Sequence, residues 1–154
     1  MFSSLVILKT VEMIHINDND DNSCRAIADL PEAVYGHSIV NTYNGPVLCG
    51  GITNSGKTQD CHRLSSNGSW SKFPNLNDAR WYFSMTDVND LLVSIGGAGA
   101  PPSFEVINVQ NGTSWVRKEL PFRLHGHCST KINETSILIT GGYSDFKASK
   151  SILS

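Results

Sequence analysis

Leu91-Leu92-Val93-Ser94-Ile95-Gly96-Gly97 is an apolar run closed by two glycines, and near copies of it stand on either side. One reads Pro46-Val47-Leu48-Cys49-Gly50-Gly51 and the other Ile137-Leu138-Ile139-Thr140-Gly141-Gly142. The first glycines fall at 50, 96 and 141, a period of 46 and then 45 residues, and Trp70 and Trp115 are also 45 apart. Self-similarity at this interval marks a repeat architecture.

Each copy has the same internal order. A polar loop leads to Gly36-His37, Trp81-Tyr82 or Gly126-His127, and a short run follows. A tight turn comes next (Asn44-Gly45, Asn89-Asp90, Asn133-Glu134), then the apolar run with its glycine pair. After a variable loop an alternating strand appears, such as Phe104-Glu105-Val106-Ile107-Asn108-Val109, then Asn67-Gly68 or Asn111-Gly112, then the tryptophan. Asn-Gly between alternating runs signals a hairpin, because both central residues need positive φ. Four antiparallel strands per period, with no helical pattern between them, predict an all-β chain of propeller blades.

The pattern resembles the kelch repeat. The residues that carry the resemblance are Gly50-Gly51, Gly96-Gly97 and Gly141-Gly142, with Trp70 and Trp115 downstream and Arg80 before the second copy. WD40 repeats offer a Gly-His pair, present here at 36–37 and 126–127, but Trp70 and Trp115 are followed by Ser71 and Val116 rather than aspartate. The expected division is a half blade over 1–30, blades over 35–74 and 80–121, and a partial blade over 124–154. Lys9–Ile16 matches the third strand at Ser103–Val109, with Glu12 against Glu105, and Lys150-Ser151-Ile152-Leu153 begins another third strand. That is about three blades' worth, fewer than the four to eight of closed propellers, so an incomplete, open propeller is expected, a fragment or truncated product with exposed sheet edges. Those edges make self-association an expectation too, two copies completing each other's half blades.

Composition excludes several function classes. A net charge of −2 and a pI near 6.2 provide no basic footprint for nucleic acid or an anionic membrane. No apolar run approaches a membrane span. The opening Met1–Leu8 lacks a basic start and is interrupted early by Lys9 and Glu12, a poor signal peptide.

Gly51-Ile52-Thr53-Asn54-Ser55-Gly56-Lys57-Thr58 matches a phosphate-binding loop and is the one enzyme-class signal. That chemistry needs a helix after the lysine, whose amides and dipole face the phosphates. Here Asn67-Gly68 follows within a few residues, so nucleotide binding is kept only as the alternative reading. Asp18-Asn19-Asp20-Asp21-Asn22 lacks the glycine and glutamate of a calcium loop and reads as a solvated turn. His125 and His127 have no partner at zinc spacing, and His127 occupies the repeat position of His37 and Tyr82, so no metal is assigned. Some kelch propellers are copper oxidases, but no tyrosine-cysteine and histidine set stands out here, and no cofactor is expected.

Aligned by the period, Cys49 falls with Ile95 and Thr140, and Cys61 with Val106 and Ser151. Thiol is matched with thiol, aliphatic with aliphatic, hydroxyl with hydroxyl, which suggests that the two positions touch across the second and third strands. A disulfide between Cys49 and Cys61 and a pair of buried thiols both fit. The glycosylation sequons at Asn67, Asn111 and Asn133 all fall on predicted turns, which generate Asn-Gly-Ser/Thr unaided. With the cysteines they lean towards an extracellular parent protein.

The resemblance implies a non-enzymatic module that binds a protein partner through loops on one face. Those loops are 52–58, 98–103 and 143–149, with the lead-in segments 31–36, 75–82 and 121–126. Arg80, Trp81 and Tyr82, with Tyr143, are the candidate binding residues there, since arginine and large aromatics anchor interfaces. Packing between blades is the competing role for Trp81 and Tyr82.

Overall fold

The computed structural model describes residues 6–16, 23–144 and 147–148. Strands and turns alone make up these residues. The acidic stretch Asp18–Asn22 and the expected strand at Lys150–Leu153 lie outside them.

Two four-stranded antiparallel sheets form the centre. The first takes β4 (Ser38–Thr42), β5 (Gly45–Cys49), β8 (Cys61–Leu64) and β9 (Trp70–Phe73) in that order. The second takes β10 (Ser84–Val88), β11 (Leu91–Ile95), β12 (Ser103–Asn108) and β13 (Ser114–Glu119). Two-stranded pairs flank them: β1 (Val11–His15) with β2 (Ser23–Ile27), and β14 (Cys128–Asn133) with β15 (Ser136–Thr140). Small pairings complete the set, β3 (Val34–Tyr35) with β6 (Ile52–Thr53) and β7 (Gly56–Lys57), and β16 (Tyr143–Ser144) with β17 (Lys147–Ala148).

Facing sheets bury apolar residues between them. Val47, Cys49, Cys61 and Phe73 of the first sheet meet Met85, Leu92 and Ile107 of the second in one buried cluster. The opposite face of the second sheet turns Val93, Ile95 and Phe104 towards Ile137 and Ile139 of β15. At the other end Leu48 and Trp70 pack with Val11, Leu30 and Val34. With both faces covered, β12 buries Val106 and Ile107 in succession, which strict alternation alone does not predict.

The glycine pairs are joints between neighbouring sheets. The Gly51 amide donates to the Arg80 carbonyl at 2.9 Å, and the Gly97 amide donates to the Leu124 carbonyl at 2.7 Å. A Cβ on Gly50 would lie 2.6 Å from that same Arg80 oxygen, and one on Gly96 would collide with the Leu124 oxygen. Both members also need positive φ, 63° and 102° at Gly50 and Gly51. The first glycine therefore faces the next sheet, while the second, like Gly97 against Arg80 and Trp81, abuts its own lead-in segment.

A second recurring bond fixes the register of the outer strands. Leu30 donates to Lys9, Leu76 to Gln59, and Leu120 to Pro102, all backbone to backbone at 2.8, 3.0 and 2.6 Å. By this equivalence β1 and β2 stand where β8 and β9, and β12 and β13, stand in the complete sheets.

Two sequence expectations change in detail. Cys49 and Cys61 do stand opposite each other in register and are joined as a disulfide with Cα atoms 4.1 Å apart. In the next sheet, however, Ile95 faces Phe104 and Val106 faces Val93, so the equivalent of Cys61 is Phe104 rather than Val106. The tryptophans are likewise out of step. Trp70 pairs with Leu64, whereas Trp115 pairs with Val106, one row nearer the glycine pair, so the two indoles leave opposite faces of their sheets.

Candidate interaction surface

The lead-in segments and the loops after the glycine pairs lie together at one end of the strands. Tyr35 pairs with Ile52 and Val34 with Thr53. Trp81 bridges to Ala98, and His125 bridges to Tyr143 in the same manner. Backbone bonds then carry the pattern from copy to copy: the Tyr82 amide donates to the Gly36 carbonyl at 2.8 Å, and the Gly126 amide donates to the Tyr82 carbonyl at 2.7 Å. Side chains add links between adjacent loops, Lys57 Nζ to the Gly99 carbonyl at 3.3 Å and Arg123 Nη1 to the Ala100 carbonyl at 3.2 Å. The result is a continuous rim.

Tyr82 is the unusual member of this line. Its φ is +52°, in the left-handed region where Gly36 and Gly126 have +65° and +64°, so its counterparts are these glycines and not His37 and His127, whose place Phe83 takes. Left-handed backbone costs a tyrosine about 1 kcal/mol or more. Its side chain is 47% exposed beside Gly36. Tyr143 is 54% exposed and stacks on His125 at 6.0 Å. Trp81 is half-buried, its ring lying over Gly99, where a Cβ would collide with it.

Arg80 does not belong to this surface. It is 0% exposed, paired with the equally buried Glu105 carboxylate, and it donates to the Gly96 carbonyl and to the Ser103 carbonyl. A guanidinium desolvated and ion-paired inside the protein cannot anchor a partner. Glu105 also accepts from the Asn77 amide at 2.6 Å and the Asp78 amide at 3.1 Å, which ties the lead-in segment to the third strand. In the preceding sheet the same two places hold Val34 and His62, so this charged network is particular to one blade. The sequence signal for it was a lone glutamate inside an otherwise apolar strand.

The phosphate-loop match folds as a hairpin. Ile52 pairs with Lys57 and Thr53 with Gly56, so the residues after Gly51 turn back on themselves and Lys57 is in a strand. No helix N-terminus is presented to a phosphate, and the spacing match carries no such chemistry.

The histidines at the rim's inner side are separately engaged. His127 is buried within 2.8 Å of Ser84 Oγ, and burial, with the nearby His125 charge second, lowers its pKa to about 4. Burial also lowers the pKa of His37 at the corresponding place. Among the described residues no group of three His, Cys, Asp or Glu side chains is gathered as for a metal ion. At the opposite end Asn67, Asn111 and Asn133 share one geometry: each side-chain oxygen accepts the amide two residues on, at 3.0, 3.0 and 2.9 Å. The Ser or Thr of each sequon is thus explained by its turn.

No family model matches the chain. Kelch-like protein 34 of Homo sapiens is 27% identical over 135 residues, with 77% of this chain and 21% of that protein covered. The chain therefore spans about a fifth of that relative's length. Among solved structures, one described as "Structure of YjhT" superposes with a TM-score of 0.73 at 21% identity, covering 84% of this chain and 45% of that one. With glycine pairs seated as joints between successive antiparallel sheets, the chain is similar in sequence to a Kelch-like protein and has the fold of blades of a kelch-type β-propeller.

Proposed function

We propose that this chain is a non-enzymatic interaction module that binds a protein partner through the rim formed by its lead-in segments and post-glycine loops. The observation that carries the reading is the continuity of that rim: hydrogen bonds tie Gly36 to Tyr82 and Tyr82 to Gly126, and two half-exposed tyrosines stand on it. Large aromatic side chains with a polar tip on a rigid backbone lose little entropy on binding and commonly act as anchors. Tyr82 and Tyr143 take this role, with Trp81 supporting them from a half-buried position, while Arg80 holds the scaffold. The likeness to a Kelch-like protein supports a partner that is itself a protein.

The test is quantitative affinity capture with Tyr82→Ala and Tyr143→Ala, each checked for an unchanged fold. Tyr82→Gly should lose the same partners as Tyr82→Ala while gaining stability, because glycine suits the left-handed backbone. Partners bound equally by all variants would refute the assignment.

A further inference from the structure

We infer, on the rim reading above, that the cavity beside Glu32 and Asp60 receives the guanidinium group of an arginine carried by the protein partner.

The cavity has a volume of about 30 Å³, room for more than one water, and lies between the lead-in segment at 30–34, Thr53 and Thr58 of the following loop, and the start of β8. Its lining repeats, position for position, the surroundings of Arg80 in the next sheet. Gly50 stands where Gly96 does, and the Asp60 carbonyl accepts its amide at 3.0 Å as the Ser103 carbonyl accepts the Gly96 amide at 3.0 Å. His62 pairs with Leu48 as Glu105 pairs with Ser94. Counted from Leu30 and Leu76, whose amides make the recurring bond to Lys9 and Gln59, Val34 falls on Arg80 and Glu32 falls on Asp78.

In the second sheet that space is filled from within. The Arg80 guanidinium donates to the Gly96 and Ser103 carbonyls, pairs with Glu105 and lies 4.0 Å from the Asp78 carboxylate. In the first sheet the same two backbone positions and an acidic residue at the Asp78 place line the cavity, but the residue facing them is Val34, which has no donor. Asp60 also brings a second carboxylate where Ser103 has a hydroxyl. Glu32 and Asp60 are exposed while Leu30, Val34 and Leu48 are buried, so the acidic residues stand at the mouth over an apolar base.

A guanidinium suits this arrangement better than an ammonium. It is planar, more weakly hydrated, and its fork donates to several acceptors at once. Nearby cations do not occupy the place. Lys57, on the hairpin that follows Gly51, is bonded to the Gly99 carbonyl of the neighbouring loop. Burial lowers the pKa of His62, with Lys72 adding to the effect and Asp60 and Glu32 opposing it, so its imidazole is neutral at physiological pH.

NMR of the whole chain, titrated with N-acetyl-arginine amide, N-acetyl-lysine amide and N-acetyl-citrulline amide, tests this. The arginine probe should give saturable amide shifts at Gly50, Asp60 and His62 in the low millimolar range, and the uncharged citrulline probe should give none there. Glu32→Gln with Asp60→Asn should weaken arginine binding about tenfold or more. Both side chains are exposed, so resonances elsewhere should stay unmoved in that variant. Val34→Arg should supply the guanidinium from within and abolish binding; the exposed pair of substitutions keeps the test decisive should that variant fail to fold. The Glu32→Gln, Asp60→Asn chain should also lose partners that the wild type captures. No saturable shift with arginine, equal binding of the lysine or citrulline probe, or indifference of probe or partner to the double variant would overturn the inference. Tyr82 and Tyr143 take no part in the titration, so its failure leaves the rim reading standing. Capture indifferent to the tyrosine variants, with the shifts present, would refute the rim reading alone.

Discussion

Arg80 and Glu105 form an ion pair with neither side chain reaching solvent, and each is further bonded to backbone. Removing one partner strands the other charge in a low-dielectric interior. Arg80→Met or Glu105→Leu alone should therefore cost about 3–5 kcal/mol in urea unfolding, and the double variant should recover much of that loss. Strict additivity of the two losses would show that the groups do not interact.

The glycine joints differ in what surrounds them. Alanine at Gly96 meets the Leu124 carbonyl, while alanine at Gly141 meets nothing within 4 Å among the described residues. Both need positive φ, 62° and 69°, so both carry a backbone cost of about 1 kcal/mol. Gly96→Ala should lose at least about 2 kcal/mol more than Gly141→Ala, measured by denaturant midpoints at equal slope. Equal losses would mean that the joint is not closed by the Leu124 carbonyl.

The Cys49–Cys61 bond spans a sequence separation of 12 and both sulfurs are buried. A loop of that size removes about 3 kcal/mol of unfolded-state freedom in the chain-entropy picture. Cys49→Ala with Cys61→Ala should lower stability by roughly that amount, and reductant should change the wild type but leave the double variant unmoved. Thiol counting under denaturation should find two free thiols, those of Cys24 and Cys128, before reduction.

His127 makes the fold acid-sensitive. Its folded pKa of about 4 lies below the ordinary histidine value of 6.5, so the unfolded chain binds the extra proton between those values. The stability it contributes is complete above pH 6.5 and is lost as pH falls towards 4. His37 acts in the same direction. Melting temperature should drop across this window, and His127→Phe should flatten the drop by about 1–2 kcal/mol of equivalent stability. Phenylalanine fits because Phe83 fills the corresponding place in the preceding copy. A variant with an unchanged pH profile would place the acid sensitivity elsewhere.

Much of the fold was legible because glycine pairs and turn residues act locally. The doublets and the Asn-Asp turn at 89–90, both residues at positive φ, lie where their spacing puts them. The Cys49–Cys61 contact was named from residue types matched in kind along the repeat, although the counterpart of Cys61 used in that matching, Val106, is two rows away from the true one, Phe104. Register further out was not legible. The loop after Gly51 is longer than the loop after Gly97, whereas the turn before Trp115 is longer than the turn before Trp70. These differences cancel in the 45-residue spacing of the indoles but not in the sheets, where one residue flips a side chain to the other face. Arg80 was misplaced for another reason: its partner Glu105 is 25 residues away on a strand whose burial on both faces only the packing reveals. The rim's tyrosines were nameable from composition, but the left-handed backbone of Tyr82 follows only from superposing it on Gly36 and Gly126.

The most direct test of the repeating-blade account is measurement of scalar couplings across hydrogen bonds by NMR. Couplings from the Gly51 amide to the Arg80 carbonyl and from the Gly97 amide to the Leu124 carbonyl are expected together, matching the 2.9 and 2.7 Å contacts. Absence of both couplings in the folded protein, or helical contacts in the residues after Lys57, would contradict it.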